Sequence, residues 1–167
     1  MLGGAIAQTR KGLHRLIEDP VAAEHGLLVH LEFLPWSHIN SVESAYEIVR
    51  LADRLNGGIV VDAWHLFRGP SHLEALKSVP GDRILNVQLD DGPAEPEPDL
   101  LTATLHDRLL PGEGDFDLPW LIDVLVTSGA HAPFGVEVFS DDLHLLEPTE
   151  AGRRAGESVR RVLGNNR

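Results

Sequence analysis

Four short apolar runs, each with a polar residue at or near its end, constrain this chain more than any other feature. Leu27-Leu28-Val29-His30-Leu31-Glu32-Phe33 follows Gly26 and reads as a buried strand. Ile59-Val60-Val61-Asp62 is the second such run, Arg83-Ile84-Leu85-Asn86-Val87-Gln88-Leu89 the third and Phe134-Gly135-Val136-Glu137-Val138-Phe139 the fourth. Helical patterns lie between them. Val42, Ala45, Tyr46, Val49, Ala52 and Leu55 recur at helical spacing, after a capping signal at Asn40-Ser41-Val42-Glu43 and before a stop at Asn56-Gly57-Gly58. Further helices are expected over Ser71 to Lys77, Leu100 to Leu109, Leu118 to Val126 and Glu150 to Leu163. Residues 5–24 are expected to be helical with a break near Pro20, and the Pro-, Gly- and acid-rich stretch from Asp90 to Asp99 to be loop.

Short apolar strands alternating with helices demand a parallel sheet covered by helices, an α/β fold. Strand starts near residues 27, 58, 83 and 134 follow the period of a βα unit, the last interval being stretched by the loop after Asp90. The organisation read from this is an N-terminal helical segment over residues 1–24, one α/β unit over 25–164 and a short tail at 165–167.

Composition narrows the function classes. Fourteen Lys and Arg stand against 26 Asp and Glu, a net charge of -12. A surface that acidic repels phosphate backbones and anionic lipid, so neither nucleic acid nor membrane is an expected partner. The absence of cysteine removes disulfides, zinc-thiolate sites and thiol nucleophiles. No apolar stretch approaches the ~20 residues of a membrane helix. No targeting segment is visible at the start, and a cytoplasmic location is expected.

The chemistry lies at the strand ends. Glu32, Asp62, Gln88 and Glu137 each stand where an apolar core would not choose them. In a parallel α/β sheet the carboxyl ends of the strands form the ligand-binding edge, so these four should converge. Any one of them alone reads equally as a solvated strand terminus or a helix cap. Three carboxylates brought together repel, and a divalent cation removes the penalty. All-oxygen ligation suits Mn, Mg or Co, with Zn a further candidate.

Other residues leave alternatives open. His65, three residues after Asp62, is either a group that orients a bound hydroxyl or a surface-loop histidine. Trp36 is either a wall for a sugar ring or a packing residue, and Trp64 shares that ambiguity. Arg108 precedes Pro111-Gly112-Glu113-Gly114-Asp115; such a loop lets a guanidinium approach ligand oxygens, although the Gly pair alone reads first as a turn. His30, on the Glu32 side of its strand, reads as a satisfied core histidine. Asp90-Asp91 reads as a pair of loop acids, with Asp90 a candidate partner for a site residue.

Taken in series, these segments resemble the xylose-isomerase-like TIM-barrel superfamily of sugar phosphate isomerases and epimerases. Leu31-Glu32-Phe33, Val61-Asp62-Ala63-Trp64-His65, Asn86-Val87-Gln88-Leu89-Asp90, Arg108 to Asp115 and Val136-Glu137-Val138 come in that family's order. The resemblance implies a metal held by Glu32, Asp62, Gln88 and Glu137, with Glu32 and Glu137 also the catalytic acid/base pair. It implies substrate contacts from His65 and Arg108, with Trp36 as a neighbour. The substrate would be a small polyhydroxylated carbonyl compound, isomerised or epimerised by proton transfer through a metal-stabilised enediolate. Gln88 stands where many epimerases have His and resembles the related dehydratases of dehydroshikimate or inosose, so a lyase is the alternative. DNA-repair endonucleases of this fold need more His ligands and a basic groove, against which the charge balance argues.

A complete (β/α)8 barrel takes ~250 residues. Four strands match strands five to eight, a partial barrel whose two edges stay open. A second copy completing the ring, as a homo-oligomer, and a catalytically incomplete half-barrel are both expectations that follow.

Overall fold

The computed structural model describes residues 20–164. Most of the helix expected over 5–24 lies outside them; from Pro20 to Glu24 the chain is helical (α1). Strand β1 (Val29–Leu31) leads to α2 (Val42–Ala52), β2 (Gly57–Asp62) and α3 (Ala63–Arg68). Two 3-10 turns, Leu73–Ser78 and Gly81–Arg83, precede β3 (Ile84–Leu89) and α4 (Leu100–His106). The order finishes with α5 (Leu118–Thr127), β4 (Phe134–Val136), a short α6 (Asp141–His144) and α7 (Pro148–Gly164).

The described strands form one parallel sheet in the order β1-β2-β3-β4. Its register sets Asp62 opposite Gln88 and Gln88 opposite Gly135, which aligns the strand ends. Alternation sends Ile59 and Val61 to the face opposite Val60 and Asp62. There they join Val87 and Leu89 of β3, Val42, Ala45 and Val49 of α2 and Leu118, Leu121 and Leu125 of α5 in the core. The pairing shifts between Ile59 and Val60, passing over Leu85. Gly58 is required beside this shift, because a Cβ there would run into the Leu85 side chain and the Arg83 carbonyl.

Local chemistry explains the element ends. Ser41 caps α2 and shares a capping box with Ser44. Glu43, the carboxylate expected to serve there, instead accepts the His72 N–H at 3.0 Å. The helix stops earlier than the Asn-Gly-Gly signal suggests. Asp53 takes the left-handed conformation (φ 48°) and sends its N–H to the Val49 carbonyl, so Leu55 falls beyond the helix and is 93% exposed. Gly57 and Gly58 belong to β2. The segment expected as a helix from Ser71 is a 3-10 turn, and the fourth strand pairs only over Phe134–Val136.

The fold is therefore the expected four-stranded part of a TIM barrel. β1 and β4 are its two edges, each three residues long and partly exposed. His30, expected in the core, is exposed instead, because nothing among the described residues covers that face of the edge strand. Among the described residues no helix is long and apolar enough to cross a membrane.

Candidate metal centre

Asp62 does two jobs. It ends β2 and caps α3, its Oδ1 accepting the His65 N–H at 3.0 Å. The helix thus starts directly at the strand end, and its first turn brings His65 back to the same station. His65 is buried rather than a loop residue, and its Nε2 lies 3.5 Å from Glu32 Oε1. One ligand atom from each of Glu32, Asp62 and His65 lies within 4.8 Å of the others. Trp36 is exposed and sets its ring edge-on to His65, with centroids 5.4 Å apart.

Gln88 and Glu137 form the adjoining half of the cluster. Gln88 Nε2 donates to Glu137 Oε1 at 2.9 Å, while Gln88 Oε1 is buried without a protein partner. The Glu137 N–H continues the β3–β4 pairing by donating to the Leu89 carbonyl at 3.2 Å. All four strand-end residues thus meet, but not as one symmetrical shell. His65 joins Glu32 and Asp62 in one donor group, whereas Gln88 and Glu137 bond each other and Glu137 also meets the Asp62 side chain.

Arg108 joins the two halves from beneath. Its N–H donates to the Phe139 carbonyl, and the antiparallel bridges Asp91–Leu109 and Asp107–Ser140 hold the segment around it. The guanidinium is only 2% exposed. Nη1 lies 2.7 Å from Asp90 Oδ2, 3.0 Å from Asp62 Oδ2 and 3.8 Å from Glu137 Oε2. The residue expected to face a ligand is thus already engaged by carboxylates. Trp64 packs below it, its ring within 5.5 Å of Arg108 and 5.2 Å of Arg68 and its indole N–H donating to Thr104 Oγ1 at 2.8 Å.

The acids after β3 are more than loop carboxylates. Asp90 is fully buried against Arg108. Asp91 accepts the N–H groups of Gly92, Gly112 and Phe116 and so ties down the turn after Arg108. Gly114 has no space for a side chain, since a Cβ would run into the Gly92 backbone and Asp91 Oδ1. The glycines here serve a turn built on Asp91.

Crowding of like charge shows in the protonation equilibria. Burial, then Asp62 and Glu137, push Glu32 up to about 7, with Arg108 opposing. Burial and Asp62 likewise raise Glu137, again against Arg108. His65 is lowered, chiefly by burial. With the imidazole neutral and the carboxyl of raised pKa, the 3.5 Å contact is not an ion pair near neutral pH. Such a group gains from a cation. The donor set fits one: carboxylate oxygens, an imidazole, and a buried amide oxygen whose unpaired state costs about 1–3 kcal/mol.

The comparisons bear on this geometry. The sequence profile of the xylose isomerase-like TIM barrel matches residues 3–162. The chain belongs to that family. A 3-dehydroshikimate dehydratase of Pseudomonas aeruginosa is 35% identical over 131 residues, 78% of this chain and 20% of that protein. The inosose isomerase of Bacillus subtilis is 34% identical over 141 residues, 83% of this chain and 50% of the isomerase. A crystal structure of the IOLI protein with a bound zinc atom superimposes with a TM-score of 0.90 at 28% identity, covering 100% of this chain and 59% of that one. The chain thus spans at most about half the length of these curated relatives. The family is enzymatic in these relatives, with isomerases and dehydratases among them.

Proposed function

We propose that this chain carries the metal-binding half of a divalent-metal-dependent isomerase or epimerase acting on a small polyhydroxylated carbonyl compound. The observation that carries it is the meeting of Glu32, Asp62, Gln88 and Glu137, with His65, at the carboxyl ends of four parallel strands. Glu32, Asp62 and His65 would hold the ion, with Gln88 and Glu137 completing its surroundings. A bound divalent cation supplies Lewis acidity toward a carbonyl oxygen. Glu32 and Glu137 enter from opposite edge strands and are both partly exposed, which suits one to take a proton from carbon and the other to return it. Trp36 and His65 form a ring-and-imidazole wall beside Glu32, and the Arg108 guanidinium is shared among Asp62, Asp90 and Glu137. We place the active enzyme in a completed barrel, formed by four further βα units or by a second copy of this chain.

Two tests apply. The chain should bind Mn2+ or Zn2+ and melt at higher temperature with it, and Glu32→Gln should lose most of that gain; a chain indifferent to both ions would end the proposal. In the completed barrel, Glu137→Gln should lower interconversion of inosose-type ketones at least about a hundredfold, and unchanged turnover would remove Glu137 from the chemistry.

A second reading is favoured by Gln88 and by the 35% likeness to a dehydratase. The same proton abstraction then expels a β-hydroxyl as water. Incubation with 3-dehydroshikimate separates the two, since only the dehydratase gives an aromatic product that absorbs in the ultraviolet.

A further inference from the structure

Asp90 has no role in the chemistry above, yet it is a fully buried acid at the edge of the centre, its pKa pushed up by burial and by Asp62 and held down by Arg108. Its Oδ2 accepts from Arg108 Nη1 at 2.7 Å, and its Oδ1 is buried without a protein partner. Asp62, equally buried, accepts from the same Nη1 at 3.0 Å. One guanidinium nitrogen is therefore shared by two carboxylates, and Asp90 has the closer contact. The guanidinium is held by further bonds of its own, Nε donating to the Thr104 carbonyl at 3.0 Å and Nη1 to the Glu137 carbonyl at 3.4 Å.

A fixed cation beside a metal ligand competes with the metal for that ligand's charge. Without Asp90, the Arg108 charge would fall on Asp62 at 3.0 Å and, more weakly, on Glu137 at 3.8 Å. We propose that Asp90 is a positioning residue that neutralises Arg108, leaving Asp62, with Glu32 and Glu137, free to attract a divalent cation; the proposal rests on the metal-binding reading above. Glu32, Asp62, Asp90 and Glu137 are four acids against the one guanidinium of Arg108. Replacing Asp90 with Asn removes one negative charge and releases a positive one toward Asp62.

The experiment is Mn2+ titration calorimetry on the full chain above pH 7, for wild type, Asp90→Asn, Arg108→Gln and the double variant. Asp90→Asn should weaken Mn2+ binding by about ten- to a hundredfold, the usual effect of losing an outer partner. Arg108→Gln should bind at least as tightly as wild type. In the Arg108→Gln background the Asp90→Asn loss should shrink to about threefold or less, because the charge that Asp90 neutralises is gone. A merely structural Asp90 would cost the same in both backgrounds, and that result overturns the proposal, as does wild-type affinity in Asp90→Asn. Should Asp90→Asn fail to fold, Arg108→Gln decides: tighter or equal binding supports the proposal and weaker binding refutes it. Wild type that binds no Mn2+ while Zn2+ binds moves the same series to Zn2+. Wild type that binds neither removes the metal reading itself, and the proposal with it.

Discussion

The inner strands and the edge strands are built from similar residues and fare differently. β2 and β3 are six residues long and pair on both sides, and every residue of β2 is buried. β1 and β4 pair over three residues each and remain half-open, with exposed Leu27 and Leu28 leading into β1. Apolar sequence alone does not make a strand. A strand forms as far as a neighbour offers a ladder, and among the described residues the outer strands have neighbours on one side only.

The largest test of that contrast is in the packing. Leu89→Ala in β3 should lose about 2–5 kcal/mol of stability, since its side chain is fully buried in the core. Val136→Ala in β4 should lose only about 1 kcal/mol. Urea melts of the two variants measure this, and equal losses would mean that the edge is as well packed as the centre. Next in size is association. The open edges should make the chain self-associate as concentration rises, with light scattering after size exclusion as the readout. Lys at Leu28 should weaken that association, whereas Lys at Leu55, exposed but away from the strand edge, should change it little.

The smallest effect concerns pH. Glu32, at the end of an edge strand, holds its proton up to about 7 in the fold and to about 4.5 in the unfolded chain. Its folded form binds more protons across that window, so metal-free stability should fall as pH rises from about 4.5 to about 7 and then level off. Saturating Mn2+ should flatten the decline, because a bound cation favours the carboxylate. Thermal melts across that range, with and without metal, read the difference. A slope left unchanged by Glu32→Gln over the same window would contradict the burial of Glu32 and its crowding by Asp62 and Glu137.

Much of this was legible in residue order. Strand ends at Glu32, Asp62, Gln88 and Glu137 could be read because apolar runs have visible limits and polar residues rarely end them by chance. Edge-strand lengths could not, because they depend on a partner rather than on local composition. The early end of α2 was hidden because Asp53 adopts a left-handed cap that glycine more often supplies. Asp90 read first as a loop acid and only second as a partner for a site residue, since its meaning lies in Arg108, 18 residues away and joined to it only by tertiary pairing. His65 was ambiguous for the opposite reason: its spacing from Asp62 was plain, but whether a helix began at once was not.

Trp64 gives the centre a built-in optical probe. Its indole is fully buried and flanked by two guanidinium groups, one of which also touches Asp62 and Asp90. Any event that moves the Arg108 charge changes the electric field along that ring, and with it the emission colour. Trp36, edge-on to His65, stands at the other side of the same centre, so ion loading can be followed by fluorescence without attaching a label.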